Sequence, residues 1–182
     1  MNTASVRDIN ELMSEARGLR FKNPEAAHRV YANAVERCRE AQLHRELIEA
    51  LKGLGQIERD LSNPRVALPL YKEAVALCRE QEDALLLAHT VRHVGDIHQD
   101  LERDELAASC YEEALVIYRA NKETQPLDLA NTIRPFALLK ENAGETEEAK
   151  RLWAEARDLY AASNIKEGVA ECSRRLTRLE NG

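Results

Sequence analysis

A three-residue pattern recurs four times along the chain at a nearly constant spacing. In each copy a small, an aromatic and a second small residue are spaced i, i+4, i+7, so that they share one face of a helix. The copies follow one another at spacings of 40, 40 and 42 residues. A helical face repeated in this way is typical of a stacked repeat array and not of a single central core. The copies are Ala27, Tyr31, Ala34; Ala67, Tyr71, Ala74; Ala107, Tyr111, Ala114; and Ala149, Trp153, Ala156.

A second small position precedes each of the last three copies by 12 residues. Small residues at both places let two helices cross closely, because no large side chain then stands between them. This spacing predicts pairs of helices joined by a short turn. The preceding small residues are Gly55, Gly95 and Ala137, each directly after an apolar residue, Leu54, Val94 or Phe136.

With these residues the chain resembles the tetratricopeptide repeat family. The family pattern stands here as Leu54-Gly55 followed by Ala67, Tyr71 and Ala74, and the resemblance covers about residues 5–162. It implies an all-α solenoid of antiparallel helix pairs in a right-handed superhelix. The family unit has about 34 residues, so the longer units of this chain resemble the long-period repeats of kinesin light chains.

The pattern divides the chain into four helix pairs and one further amphipathic helix. We expect that last helix to cap the array, since a terminal repeat has no neighbour to cover its apolar face. The first pair lacks the leucine–glycine pattern, as an end repeat often does. The predicted pairs span about residues 5–42, 44–82, 83–121 and 127–162, and the C-terminal capping helix spans 163–182.

Composition and charge exclude several classes of partner. The chain carries 26 basic and 32 acidic residues, and its net charge of −6 disfavours nucleic acid and anionic membranes. Aromatic residues are 4% of the chain and mostly belong to the triplets, which leaves few for base stacking. The chain has no apolar run of membrane-spanning length, and its start, MNTASVRDINEL, has no apolar signal core. We therefore expect a cytoplasmic protein, with no nucleic acid and no membrane as partner.

The cysteines occupy places where other units carry tyrosine. Cys38 and Cys78 each stand four residues after the last alanine of a triplet, where later units have Tyr118 and Tyr160. A place shared by cysteine and tyrosine is a packing position, so we expect reduced, structural thiols. Neither a disulfide framework nor a zinc site is supported by the spacing.

The resemblance implies that the first helix of each pair lines the concave side of the superhelix. Counted from the small position, the inward places are almost all polar, which predicts a hydrated groove for a peptide or protein segment. Met13 and Leu138 are expected to add apolar contacts at its ends. The candidate partner-binding residues are Lys52, Gln56, Arg59, His89, Arg92, His93, Asp96, Gln99, Asn131 and Arg134.

Three of these residues form a candidate cation ladder. Lys52, Arg92 and Arg134 stand at equivalent places in successive units. Some members of the family hold a partner's terminal carboxylate with lysine, arginine and asparagine, so the resemblance implies an acidic or carboxylate-bearing peptide. The alternative is a solvated network in which each cation pairs with a neighbouring acid. The acids expected in that network are Glu49, Asp96 and Glu141.

A histidine-rich stretch in the third unit raises a second possibility. His89, His93 and Asp96 share one helix face, and two histidines four residues apart can chelate one metal ion. Two or three ligands on one helix make an incomplete site, so we favour a polar cluster in which the imidazoles pair with carboxylates. The remaining histidines, His28, His44 and His98, are expected at the surface.

No sequence pattern points to catalysis. Nucleophile-elbow, phosphate-loop and dinucleotide-binding patterns are absent from the sequence, and no acidic pair stands out as a dyad. We therefore expect a non-catalytic adaptor that requires no cofactor. A metal- or small-ligand-binding protein, or a self-assembling module that associates weakly through its first or last helix, are the alternatives.

Overall fold

The computed structural model describes residues 5–181 and shows only helices and short connections over that range. Residues 1–4, the start of the segment MNTASVRDINEL, lie outside the described range. Gly182, the last residue of the predicted cap, also lies outside it. The described range contains α1 (Val6–Leu19), α2 (Pro24–Ala41), α3 (His44–Asp60), α4 (Pro64–Glu80), α5 (Ala84–Asp100), α6 (Asp104–Ala120), α7 (Pro126–Asn142), α8 (Thr146–Ala162) and α9 (Lys166–Asn181).

The helices stack in chain order. Each helix packs mainly against the helices before and after it, and α1 also touches α3 as α5 touches α7. The second helices of the pairs begin at Pro24, Pro64, Asp104 and Thr146, which repeats the spacing of the triplets. Contacts limited to neighbouring units define a solenoid, so the predicted all-α solenoid is confirmed.

The repeated triplets form the core that joins the units. All eight triplet alanines are fully buried, and none of the four rings is more than 5% exposed. Gly55 and Gly95 are required by this packing: a Cβ at Gly55 would stand 2.7 Å from the Tyr71 ring, and one at Gly95 would stand 2.8 Å from the Tyr111 ring. The ring of each second helix therefore fills the space that the glycine of the first helix leaves.

The turn inside each of the last three pairs has the same backbone form. Ser62, Glu102 and Gly144 adopt left-handed conformations with φ of 63°, 57° and 76°. The next residue in each turn donates its N–H to a carbonyl five residues back, as Asn63 does to Glu58. This is the hydrogen bonding of a Schellman motif, which ends a helix and reverses the chain. One turn geometry repeated three times keeps the pairs parallel to one another.

The last helix covers the end of the stack. α9 packs against α8, and Gly168 and Cys172 of α9 are buried there. All four cysteines are free thiols; Cys38, Cys78 and Cys172 are buried, and Cys110 is half-buried. Across residues 5–181, no helix combines the length and the apolarity needed to cross a membrane.

Candidate partner-binding groove

The ten candidate residues line a row of cavities along α3, α5 and α7. One of them, here called the Arg92 cavity, has a volume of about 530 Å³ and is bounded by residues of α3, α5, α7, α8 and α9. A second cavity of about 340 Å³, here called the Lys52 cavity, lies along α1, α3 and α5. Arg59, Arg92, Asp96, Gln99, Asn131 and Arg134 line the first; Lys52, Gln56, His89 and His93 line the second.

Asp96 is the centre of the polar network between these cavities. Its carboxylate accepts a hydrogen bond from the hydroxyl of Tyr111 at 2.9 Å and a longer one from Arg92 Nη1 at 3.4 Å, and Arg59 Nη1 lies 3.7 Å away. Burial would raise the pKa of Asp96, but contact with His93 and the charge of Arg92 outweigh it and lower the pKa below its ordinary value. One partly buried carboxylate thus lies beside two guanidinium groups, those of Arg92 and Arg59.

The histidines beside Asp96 are held in the neutral form. The guanidinium of Arg92 donates to Nε2 of His93 at 2.7 Å, so that nitrogen must accept and the ring proton sits on Nδ1. Nδ1 lies 3.2 Å from Oδ2 of Asp96 but is not aligned as a hydrogen bond. Burial lowers the pKa of His93, and burial together with His93 and Lys52 lowers the pKa of His89 to about 3.

This arrangement gives no support to the metal-binding alternative. The rings of His89 and His93 meet edge to face with centroids 4.8 Å apart, and Nε2 of His93 is already occupied by Arg92. Among residues 5–181, no group of three or more His, Cys, Asp or Glu side chains is placed to hold a metal ion. The cluster is a polar contact within the groove wall.

Arginine–aspartate pairs join successive units along one edge of the groove. Arg20 binds Asp60 with two hydrogen bonds of 2.6 and 2.9 Å, and Arg59 binds Asp100 at 2.7 Å. Arg20 is the first-unit equivalent of Arg59, and Asp60 is the equivalent of Asp100. The next pair of this series would start from position 99 in the third unit. The chain has Gln99 there and not a cation, so the series ends.

The three cations of the predicted ladder all have partners, but unequal ones. Lys52 donates to Glu49 at 2.9 Å, as the network alternative expected. Arg134 binds Glu171 of α9 through two hydrogen bonds of 2.8 and 2.9 Å. Only Arg92 depends on a shared carboxylate at 3.4 Å, with neutral His93 as its other partner.

The partner expected for Arg134 was wrong. The sequence pointed to Glu141, whose side chain is instead enclosed by α8 and α9. Its carboxylate accepts from the indole Nε1 of Trp153 at 2.9 Å and from Arg175 at 3.1 Å. Because a carboxylate held in this way is turned into the stack, it is out of reach of the groove.

Asn131 faces Arg92 across the larger cavity. Its side-chain oxygen accepts from the hydroxyl of Tyr160 at 3.0 Å, which fixes the amide. Pro135, in the same cavity wall, has no N–H to give to the carbonyl of Asn131, one turn earlier in α7. The cavity is therefore lined both by a cation, Arg92, and by the amide of Asn131, which a hydrogen bond holds in place.

Comparison with known proteins places these helices in a family. A family model described as tetratricopeptide repeat matches residues 47–120, which contain α4, α5 and α6 whole and most of α3. Residues 47–120 contain tetratricopeptide repeats. No curated protein sequence matches the chain.

Solved structures share the fold at low sequence identity. Aspartyl phosphate phosphatase F from Bacillus subtilis matches with a TM-score of 0.84 at 11% identity over 93% of this chain, which spans only 44% of the phosphatase. A putative kinesin light chain from Podospora anserina with nearly identical tetratricopeptide-like repeats has a TM-score of 0.71 at 13% identity, covering 94% of both chains. BtubC (BKLC) from P. vanneervenii has a TM-score of 0.67 at 15% identity, covering 96% of this chain and 89% of its own.

The tetratricopeptide assignment bears on function at a general level. Repeats of this family generally bind proteins or peptides, and proteins built from them are generally non-catalytic scaffolds.

Several residues of this tetratricopeptide groove escaped the sequence reasoning. Arg20 lines the Lys52 cavity, and Glu167 and Glu171 of α9 line the Arg92 cavity. The repeat period itself was the missed signal: Glu171 stands at the place in α9 that Glu49 and His89 hold in α3 and α5. Treating α9 as a first helix would have found it.

Two expectations about single side chains were wrong. Met13 is 3% exposed and packs in the core. At the equivalent positions of later units, a long charged side chain carries its head group from the core to the groove, which Met13 does not do. His98 is 5% exposed and not a surface residue. Leu138 is half-buried and packs against the core around α7 and α8.

Proposed function

We propose that this chain is a non-catalytic adaptor that binds a peptide or protein segment along α3, α5 and α7, and that Arg92 is its main anchor for an acidic group. The observation that carries the proposal is that Arg92 and Asn131 line the same cavity of about 530 Å³. A carboxylate placed there accepts charge-assisted hydrogen bonds from the guanidinium, the stronger class of hydrogen bond.

Arg92 is the best anchor because its charge is the least compensated of the three. Glu49 neutralises Lys52 and Glu171 neutralises Arg134 through short hydrogen bonds. The carboxylate nearest Arg92 also serves Arg59 and Tyr111. An incoming anion therefore completes the coordination of Arg92 without displacing a strong pair.

The shape of the site favours a segment over a compact molecule. A third cavity of about 440 Å³, lined by Gln56, Arg59 and Asp100 among others, lies between the same helices. Gln56 also lines the Lys52 cavity, and Arg59 also lines the Arg92 cavity. Connected hollows along successive repeats suit an extended chain.

A selection from random peptides tests the proposal. The chain is used to enrich a displayed library, and the enriched peptides are synthesised and measured by fluorescence anisotropy. We expect acidic or carboxylate-terminal peptides, and we expect Arg92→Gln to weaken their binding about tenfold or more, as loss of a charge-assisted pair should.

Arg79→Gln is the matched control, because it makes the same substitution at an exposed arginine outside the groove cavities described above. Far-UV circular dichroism of both variants checks the fold. Equal binding by Arg92→Gln and wild type, or no enrichment of any peptide, would contradict the proposal.

The other proposed properties follow from the sequence. We propose that the adaptor acts in the cytoplasm, with neither nucleic acid nor membrane as partner, and that its partner-binding unit is the set of four helix pairs. Size-exclusion chromatography with light scattering tests for weak self-association, and fractionation of cells tests the location.

A further inference from the structure

A cavity unrelated to the groove lies between α4, α5 and α6. It has a volume of about 360 Å³, and its lining includes Val75, Val91, Val94, His98 and Cys110. Val91, Val94 and His98 are buried, and Val75 and Cys110 are half-buried. The ion pair of Arg79 and Glu113, 2.9 Å long, belongs to the same wall and is exposed at its rim.

The cavity exists because this junction carries smaller side chains than the equivalent junctions. Where the third unit has Val91 and Val94, the second has Leu51 and Leu54, and the fourth has Ile133 and Phe136. Each replacement removes carbon atoms from an otherwise repeated packing layer, and the neighbours in a stiff helical stack do not move in to fill the gap.

The two second helices contribute to the same gap. Cys110 stands where the second and fourth units have Leu70 and Leu152, and Val75 stands where the third has Leu115. Thus four side chains that are smaller than an equivalent elsewhere in the chain all line this one cavity. Since Leu is present at all four places elsewhere in the chain, the repeat geometry permits a filled layer.

A buried imidazole without a partner lines this apolar hollow. Nδ1 of His98 is enclosed and has no hydrogen-bond partner among the described residues. In the second unit the same place holds Glu58, which is bonded by His28 at 2.8 Å and by Asn63 at 3.0 Å. The residue equivalent to His28 is Leu68, which has no polar atom to offer.

The two polar groups of the less exposed lining, His98 and Cys110, are uncharged, while the charges of Lys72, Arg79 and Glu113 stand at the exposed part of the wall. Burial lowers the pKa of His98, with the charges of Lys72 and Arg103 acting in the same direction. Burial also raises the pKa of the Cys110 thiol. An uncharged imidazole and a protonated thiol at neutral pH do not attract an ion, but they accept and donate hydrogen bonds.

We propose that this cavity is a binding site for a small neutral molecule with an apolar body and one hydroxyl group, of the size and chemistry of a phenol. The body lies against the valines, and the hydroxyl pairs with the imidazole of His98, whose ring turns so that Nδ1, enclosed and without a partner among the described residues, meets the ligand. The site is independent of the groove and of the proposed adaptor function.

Methyl NMR with p-cresol and toluene as probes tests the proposal. These molecules have the same apolar frame and differ by the hydroxyl. We expect saturable shifts at the methyl groups of Val75, Val91 and Val94, with p-cresol binding about fivefold tighter than toluene, the effect of one neutral hydrogen bond.

Two variants separate the parts of the site. His98→Leu should remove the preference for p-cresol while toluene still binds. The double change Val94→Leu and Cys110→Leu, which restores the side chains of the second unit, should abolish binding of both probes and raise the melting temperature. Val66→Leu, an exposed position on α4 that does not line the cavity, is the control for added volume.

Three outcomes would overturn the proposal. In the first, neither probe produces saturable shifts and water–protein NOEs show only ordered water beside His98. In the second, the filled double variant binds as wild type does. In the third, His98→Leu keeps the full preference for p-cresol, which would place the hydroxyl elsewhere.

Discussion

Two sets of arginine–acid pairs run along this solenoid, and they differ in regularity. On the second helices one pair links each unit to the next: Arg39–Glu73, Arg79–Glu113 and Arg119–Glu155, at 2.7, 2.9 and 2.9 Å. We call these three pairs the outer ladder. In the groove one pair occurs at only two steps, as Arg20–Asp60 and Arg59–Asp100, and Arg92 instead shares the carboxylate of Asp96 within its own helix.

This difference helps to distinguish ion pairs that hold the repeats together from residues that recognise a partner. An ion pair that recurs at every junction fixes the spacing of neighbouring units and carries no information specific to one place. A place where the series breaks, such as Gln99 or Asn131, carries a local chemistry that a partner can distinguish. The regular set is also about half exposed, whereas Arg92 and Asp96 are each 15% exposed.

The largest predicted difference between the two sets is in stability. We expect Asp96→Ala to lower the free energy of unfolding by about 2–4 kcal/mol, because it leaves the largely buried Arg92 without its anion, while Arg59 keeps Asp100. Glu113→Ala in the outer ladder should cost under about 1 kcal/mol, as exposed pairs usually do. Urea denaturation of both variants measures the two values, and equal losses would mean that exposure does not separate the two sets.

A second difference should appear in the pH dependence. The pKa of His89 in the folded protein is lowered to about 3, from an ordinary value of 6.5. The unfolded chain therefore takes up this proton first, so stability is full above about pH 6.5 and falls as the pH drops toward 3. The slope attributable to His89 is at most one proton, about 1.4 kcal/mol per pH unit.

His89→Gln should flatten this decline, measured by urea denaturation from pH 7 to pH 4, while Glu113→Gln should leave its shape unchanged in that range. An NMR titration of wild type should show no protonation of His89 above pH 5. A His89 resonance that titrates near pH 6.5 would show that the groove wall is wetter than its packing indicates.

The smallest effect is expected from removal of the whole outer ladder. Changing Glu73, Glu113 and Glu155 together to Gln should cost about 1 kcal/mol or less at low salt, and the difference from wild type should vanish in 1 M sodium chloride because salt screens exposed pairs. Thermal unfolding at two salt concentrations measures this. A loss of several kcal/mol that persists in salt would mean that the outer ladder acts as a cooperative network.

Sequence reasoning reached the fold because the repeated triplet reports directly on packing. An alanine that is fully buried in every unit leaves a period that is visible without coordinates. The places of the groove residues followed from the same period. What escaped was each side chain's partner: Glu171 for Arg134 depends on how α9 docks, and Met13 shows that a place on the inner face is open only to a side chain long enough to leave the core.

The cap helix has a consequence for direction. Glu167 stands at one end of the row of hollows, and Arg17 stands at the other. A segment bound as we propose meets negative charge at one terminus and positive charge at the opposite one. On that proposal the solenoid distinguishes a sequence from its reverse, although its helices repeat with nearly uniform spacing.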